Sequence, residues 1–427
     1  MRKLKAAVIG AASTYTPELI EGFIEKRESL NFQNIALMDI DENKLDIVGS
    51  LAGRMLKSKG FIGEFRLTGN LDEAIKDADY IFAQIRVGGM AARIRDEKIP
   101  VKYGLLGQET TGAGGFINAL RTVPVMLDIS RRIEKLAPNA WLINFSNPSG
   151  IVAEALLNYS NIKMIGLCNC FINMHASIKK NIGTDNFDYE YIGLNHLSWI
   201  ISVLVNGKNI LGDIKGMASM KNIPDLDYED ELLSAMDAIP SSYLSYFYLR
   251  DEQLKKCLEV EKTRAEQVLE LEKSLLEKYK NPDLSEKPAE LSERGGALYS
   301  TAAISLADAI ENDKNEYHVV GVKNNGSLPF LEDDDVIEAK CLVSRNGAKP
   351  LPVKTPVNEY MKALIQSVKA YERLTVKAAI NGSRKDALSA LMVHPLIGDY
   401  NKAKAVLDEL LTANKEFVSP AFFGEQS

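Results

Sequence analysis

Short, nearly continuous apolar runs alternate with helix-like stretches through the first 170 residues. Leu4–Ile9 is rich in Val, Ile and Ala and predicts a buried strand. Thr16–Lys26 predicts a helix, with Thr16 as N-cap and Pro17 at its first position. Ile35–Met38 predicts a second strand, and a helix follows from about Asn43 to Lys59. Phe65–Thr68, Tyr80–Ile85, Trp141–Phe145 and Lys163–Leu167 continue the strand series. Strands without polar alternation, joined by helical crossovers, indicate a parallel sheet covered on both faces. The expected fold is α/β, a doubly wound Rossmann-type sheet followed by a mixed α+β domain. Residues 86–115 interrupt the rhythm with Gly-Gly-Met and GQETTGAGG. A long Gly/Thr-rich connection at the carboxyl end of a parallel sheet lies where ligands bind. The plain alternative is a mobile surface loop.

Beyond residue 185 the texture changes. Glu190–Leu194 and Ile200–Val205 read as strands, with Asn206-Gly207 as a hairpin turn. Leu244–Tyr279 reads as a long charged helix with a break, and Asn281–Glu293 as a linker. A helix over Ala302–Ile310, strands near Val319 and Ala339, and helices over Pro356–Asn381 and Lys402–Asn414 complete the chain. The expected division is a nucleotide-binding unit over 1–170 and a substrate, metal and oligomerisation unit over 171–427.

Composition narrows the function classes. The chain has 427 residues, enough for two or three units. A net charge of −7 argues against a general nucleic-acid partner, which needs a basic face. No apolar run reaches the roughly 18–20 residues needed to cross a bilayer. The early start of the first strand leaves no room for a secretory signal, so a cytoplasmic location is expected. Cys168, Cys170, Cys257 and Cys341 are spread too thinly for a disulfide scaffold and contain no CxxC pair. A homodimer or homotetramer is expected on general grounds.

The first strand ends in Gly10-Ala11-Ala12-Ser13-Thr14-Tyr15, then a helix begins. Small residues there let a backbone approach a pyrophosphate, and the helix N-terminus offers N–H groups to it. Only Gly10 of a GxGxxG pattern is kept, and any tight strand-to-helix turn can look this way. Asp39 ends the second strand, where an acid can accept hydrogen bonds from an adenosine ribose and favour NAD over NADP. Its plain alternative is an N-cap of the next helix. Strand, turn, helix, strand and acid in this order point to NAD.

Chemistry candidates cluster at other strand ends. Asn147 precedes Pro148 and is held extended, although Asn-Pro also starts ordinary turns. Cys168 and Asn169 end the sixth strand; a lone thiol there is also a common core residue. His196 ends a later strand, and isolated histidines are often structural. A Cys and a His so far apart would have to converge in space, and together they suit a borderline transition metal. The Asn-Pro and the later His also suggest a 2-hydroxy-acid dehydrogenase. The stretch from Cys168 to Lys180 lacks the Asp and Arg which that chemistry requires.

Taken together, the motifs resemble glycoside hydrolase family 4 up to about residue 415. They are Ser13–Glu18, Ile99–Phe116, Asn147–Gly150, Gly166–Asn169, Gly193–Ser198, Tyr243–Tyr248, Arg294–Gly296 and Asn324–Ser327. Gly-Leu-Cys-Asn, with Asn169 in place of Asp, is similar to the branch acting on 6-phospho-β-glucosides. Two departures stand out: Ala11-Ala12 where the family has glycines, and Cys170-Phe171 where it has Val-Pro. The resemblance implies Cys168 and His196 as ligands of Mn²⁺ or another divalent metal and Tyr243 as catalytic base. It implies Arg93, Asn147, Asn169 and Arg264 as substrate contacts, the arginines suiting a 6-phosphate. Gly10, Ser13, Thr14 and Asp39 would hold NAD. Without the family, Arg264 reads as a solvated ion pair and Tyr243 as part of an aromatic cluster. The implied route is oxidation at sugar C3, deprotonation at C2, elimination of the aglycone, water addition at C1 and reduction back at C3. The net reaction is hydrolysis of phosphorylated cellobiose-type disaccharides. Within the family, an α-linked or unphosphorylated sugar is the alternative substrate.

Overall fold

The order of strands follows from the crossover helices. In the computed structural model, which describes residues 2–214, 228–294 and 299–424, six strands run parallel. They are β1 (Leu4–Ile9), β2 (Phe32–Met38), β3 (Glu64–Thr68), β4 (Tyr80–Ala83), β5 (Trp141–Asn144) and β6 (Lys163–Gly166). Seven further strands are β7 (Asp188–Leu194), β8 (Leu197–Val205), β9 (Lys208–Asn209), β10 (Ile239–Pro240), β11 (Glu316–Lys323), β12 (Val336–Ser344) and β13 (Gly347–Pro350). The large sheet has the order β13-β12-β11-β6-β5-β4-β1-β2-β3. Its parallel part carries the doubly wound order 3-2-1-4-5-6, which reverses between β1 and β4 and opens a crevice there.

The sheet continues past residue 170. β11 joins β6 antiparallel through the pair Gly321↔Gly166, where the two glycine backbones approach closely. β12 and β13 then extend the edge. A smaller sheet, β10-β8-β7 with β9 on β8, carries its own apolar cluster with Cys168, Cys170 and Phe171. Asn206 and Gly207 take φ of 52° and 78° in the turn after β8, as the hairpin reading requires.

Three local expectations are corrected. Thr16 does not cap its helix: Tyr15 holds the N-cap position of helix Thr16–Glu25 without a side-chain capping bond, and the Thr16 hydroxyl donates to Ala11 O at 2.8 Å. That bond closes the turn after β1 instead. Much of residues 86–115 is helical, with helices Gly89–Val101 and Gly112–Leu136 leaving 86–88 and 102–111 as connections. The stretch 244–279 divides into helices Ser245–Tyr248, Arg250–Glu259 and Arg264–Tyr279. The last of these starts at a capping box formed by Thr263 and Glu266. Gly295 and Gly296 of the Arg-Gly-Gly motif lie outside the described residues. Among the described residues no helix is long and apolar enough to cross a membrane.

Gly10 is a close backbone contact in the crevice. Its φ is +84°, and a Cβ there would meet Gln84 C and O at 2.8 Å and Ile85 N at 3.0 Å. Both the left-handed backbone and the contact with another strand's main chain exclude a side chain. Gly10→Ala is expected to lower unfolding stability by about 2–4 kcal/mol, read from urea denaturation; an unchanged midpoint would refute this packing.

Candidate active site

A cleft of about 1190 Å³ runs along the carboxyl ends of the parallel strands. Among the residues flagged from sequence, Gly10, Ser13, Asp39, Arg93, Asn147, Asn169, Tyr243 and Arg264 line it. Thr14, Cys168 and His196 are buried just behind its wall.

The nucleotide end is built on the turn after β1. Asp39 Oδ2 accepts from Ala12 N at 2.9 Å, and its Oδ1 accepts from Asp41 N at 3.0 Å. The cap of the next helix is Asp41, which accepts from Lys44 N at 3.1 Å. Asp39 is therefore a brace between the two strand ends and not a helix cap. Thr14 Oγ1 is buried without a hydrogen-bond partner just before helix Thr16–Glu25, whose own first donors are spent: Thr16 N donates to Ser13 O, Glu18 N donates to Tyr15 O, and Pro17 has no N–H. A small-residue turn and an orphaned hydroxyl fit a dinucleotide phosphate group.

The chemistry end gathers side chains from three segments. Cys168 follows β6, and its Sγ accepts from Cys170 N at 3.4 Å. His196 occupies the β7–β8 turn with φ of +63°. Tyr243 lies in the 3-10 turn Ser242–Leu244. The His196 and Tyr243 rings stack with centroids 3.7 Å apart and an interplanar angle of 8°. Burial pushes the imidazole of His196 down to about 4, against an upward pull from Glu109. The ring is thus neutral at physiological pH, as a metal ligand must be. Burial pushes the Tyr243 phenol well above its ordinary value, and the Cys168 and Cys170 sulfurs add to the shift. The thiol, the imidazole and the phenol therefore share one environment. Among the described residues no three His, Cys, Asp or Glu side chains are grouped to hold a metal. A soft thiolate and a neutral imidazole still suit a borderline divalent ion whose remaining positions are filled from outside the protein.

Arg93 is less free than its sequence reading implies. It pairs with Glu97 at 2.9 Å and with Glu109 at 3.0 Å. Burial pushes the Glu109 carboxyl up, but Arg86 and Arg93 outweigh that and hold it low. Glu97 also accepts from Ala265 N at 2.8 Å, tying Arg93 to the helix that begins at Arg264. Arg264 itself donates to Glu293 O at 3.0 Å. Asn147 precedes a cis peptide bond to Pro148. Residue-by-residue reading missed Arg86, Gln108, Glu109 and Thr110, all lining the cleft. All four lie in the Gly/Thr-rich stretch 86–115 already noted at the sheet's carboxyl end.

Known proteins resemble this chain over nearly its whole length. The family model described as "Family 4 glycosyl hydrolase" matches residues 5–184, and that of its C-terminal domain matches 191–397. A 6-phospho-beta-glucosidase of Escherichia coli is 38% identical, covering 98% of this chain and 96% of that protein. The 6-phospho-beta glucosidase of Thermotoga maritima, solved with manganese, NAD⁺ and glucose-6-phosphate, has a TM-score of 0.91 at 38% identity. That match covers 97% of this chain and 99% of the other. Malate dehydrogenase from Plasmodium falciparum, at 14% identity and a TM-score of 0.55, shares the fold alone over 88% of this chain and 99% of its own. The chain belongs to glycosyl hydrolase family 4.

Proposed function

We propose that the protein hydrolyses 6-phospho-β-glucosides, using NAD⁺ and a divalent metal, Mn²⁺ first among them. The observation that carries this reading is the shared environment of Cys168, His196 and Tyr243 beside a Rossmann-type cleft. When bound, NAD⁺ supplies a hydride acceptor for sugar C3, and the metal supplies positive charge for the oxygens at C2 and C3. Tyr243 removes the C2 proton. Its phenol is protonated in the isolated chain because burial disfavours the anion. Cation charge beside the ring is what makes it a base. Asn147, Asn169, Arg93 and Arg264 bind and orient the sugar phosphate, with Arg86 and Glu109 fixing Arg93. Asn169 has no carboxylic proton to give, so the departing aglycone oxygen takes its proton from water. Thr14, Ser13, Gly10 and Asp39 shape the nucleotide end.

In this reading residues 1–170 hold the nucleotide and 171–427 complete the substrate and metal site and carry the oligomer contacts of a dimer or tetramer. A thiol ligand suits a reducing, cytoplasmic setting.

The test is a chromogenic β-glucoside 6-phosphate with NAD⁺, Mn²⁺ and a reductant, each omitted in turn. Aglycone release should require both NAD⁺ and Mn²⁺ and leave no net NADH. Accumulating NADH would point to a dehydrogenase. Release from the α-anomer or the unphosphorylated sugar alone would overturn the substrate assignment.

A further inference from the structure

We infer that Gln108 and Thr110 are positioning residues that fix His196 in the tautomer whose Nε2 carries the lone pair. The inference rests on the reading of His196 as a metal ligand, and it goes further by assigning what aims that ligand. The argument is one of proton placement.

Thr110 N donates to Gln108 Oε1 at 2.5 Å. A backbone N–H can only donate, so the Gln108 atom facing it is the carbonyl oxygen. The same oxygen lies 2.8 Å from Thr110 Oγ1. An amide oxygen can only accept, so the Thr110 hydroxyl points its single proton at Gln108. Thr110 Oγ1 is also 3.0 Å from His196 Nδ1. With its proton committed, the hydroxyl can only accept there, and Nδ1 must bear a proton. An uncharged imidazole carries one proton, which leaves Nε2 bare. Metal-binding histidines commonly take their tautomer from such an outer partner.

Neighbouring contacts hold the relay in place. Gln108 also lies near Tyr246 in the wall of the cleft. Thr111 Oγ1 lies 3.3 Å from His394 Nε2, and Tyr371 donates to Gly112 O at 3.1 Å. The segment carrying Thr110 is thus fastened on its C-terminal side. The Tyr243 ring covers one face of His196 and opposes rotation of the imidazole.

The experiment uses the full-length protein, NAD⁺-saturated and metal-free, with ¹⁵N-labelled histidine. The chain has four histidines, and the signals missing from His196→Ala identify residue 196. Wild type should show a protonated Nδ1 and a bare Nε2. Thr110→Val should lose this preference and weaken Mn²⁺ binding by about 10–100-fold, measured by metal titration. Thr110→Ser should restore both. Gln108→Leu frees the Thr110 proton for Nδ1 and should also mix the tautomers, which keeps the inference testable if Thr110→Val does not fold. NAD⁺ affinity should be unchanged throughout. A protonated Nε2 in wild type would overturn the inference. So would Thr110→Val, or Gln108→Leu if Thr110→Val does not fold, keeping both the wild-type tautomer and the wild-type Mn²⁺ affinity. Undiminished Mn²⁺ binding by His196→Ala would instead overturn the metal reading, whatever the tautomer.

Discussion

Cys168→Ser and His196→Ala should each lower kcat/KM on a 6-phospho-β-glucoside by at least about a thousandfold while leaving NAD⁺ affinity within a factor of about two. Lewis-acid stabilisation of a developing enolate is worth several kcal/mol, and about 4 kcal/mol already corresponds to three decades in rate. Serine keeps the size and the hydrogen bond from Cys170 N but replaces a soft thiolate with a hydroxyl that does not ionise at neutral pH. His196→Ala removes the neutral imidazole and the face on which Tyr243 stacks. Neither residue belongs to the Gly10–Thr14 turn or to its Asp39 brace, so the nucleotide end is untouched. The measurements are steady-state kinetics and calorimetric titration of NAD⁺. Metal-dependent turnover at the wild-type rate in Cys168→Ser would remove that residue from the reaction. Parallel loss of NAD⁺ binding would mean that the two ends of the cleft are not separable.

How far the sequence reaches depends on whether a feature is local. β1, β2, β4, β5 and β6 were legible because each carries an apolar run closed by a turn, whereas β3 is a half-exposed edge strand, Glu64–Thr68, marked mainly by Phe65 and Leu67. The join of β11 to β6 was not legible, since it rests on one glycine pair, Gly321↔Gly166, from distant segments. Helix Gly89–Val101 was hidden because it begins at two left-handed glycines and lacks a clean apolar face. Helix Arg384–Val393 went unread beside the longer helix Glu359–Asn381 that it packs against. At the site, Asp39 could be placed from the strand that ends there. Its carboxylate bonds to Ala12 N and Asp41 N could not, because they depend on how two strand ends meet. Cys168 and His196 carried little signal by spacing; their common environment arises where β6, the β7–β8 turn and residues 108–111 come together. The Arg86–Glu109–Arg93 pairing is likewise invisible until helix Gly89–Val101 is laid against the start of helix Gly112–Leu136.

Tyr243→Phe is the substitution that isolates proton transfer. Phenylalanine retains the ring stacked on His196 at 3.7 Å and deletes only the hydroxyl. The site should therefore keep its shape, its NAD⁺ and Mn²⁺ affinities and its KM. A positioned base contributes typically 10²–10⁴-fold, so kcat should fall by about that factor. The fold itself predicts that this hydroxyl needs help. Burial disfavours the phenolate, and the Cys168 and Cys170 sulfurs nearby disfavour it further. The group can act as base only when bound cation charge reverses that balance, so its role and the metal requirement stand together. Solvent deuterium exchange at C2 of recovered substrate reads the step directly. Wild type should exchange that position in a metal-dependent way, and Tyr243→Phe should not. Exchange at the wild-type rate in Tyr243→Phe would assign the base elsewhere. Among the residues lining the cleft, Glu109 is held low as a carboxylate by Arg86 and Arg93 and adds to the electrostatic surroundings of both Tyr243 and His196. It would be the next group to substitute.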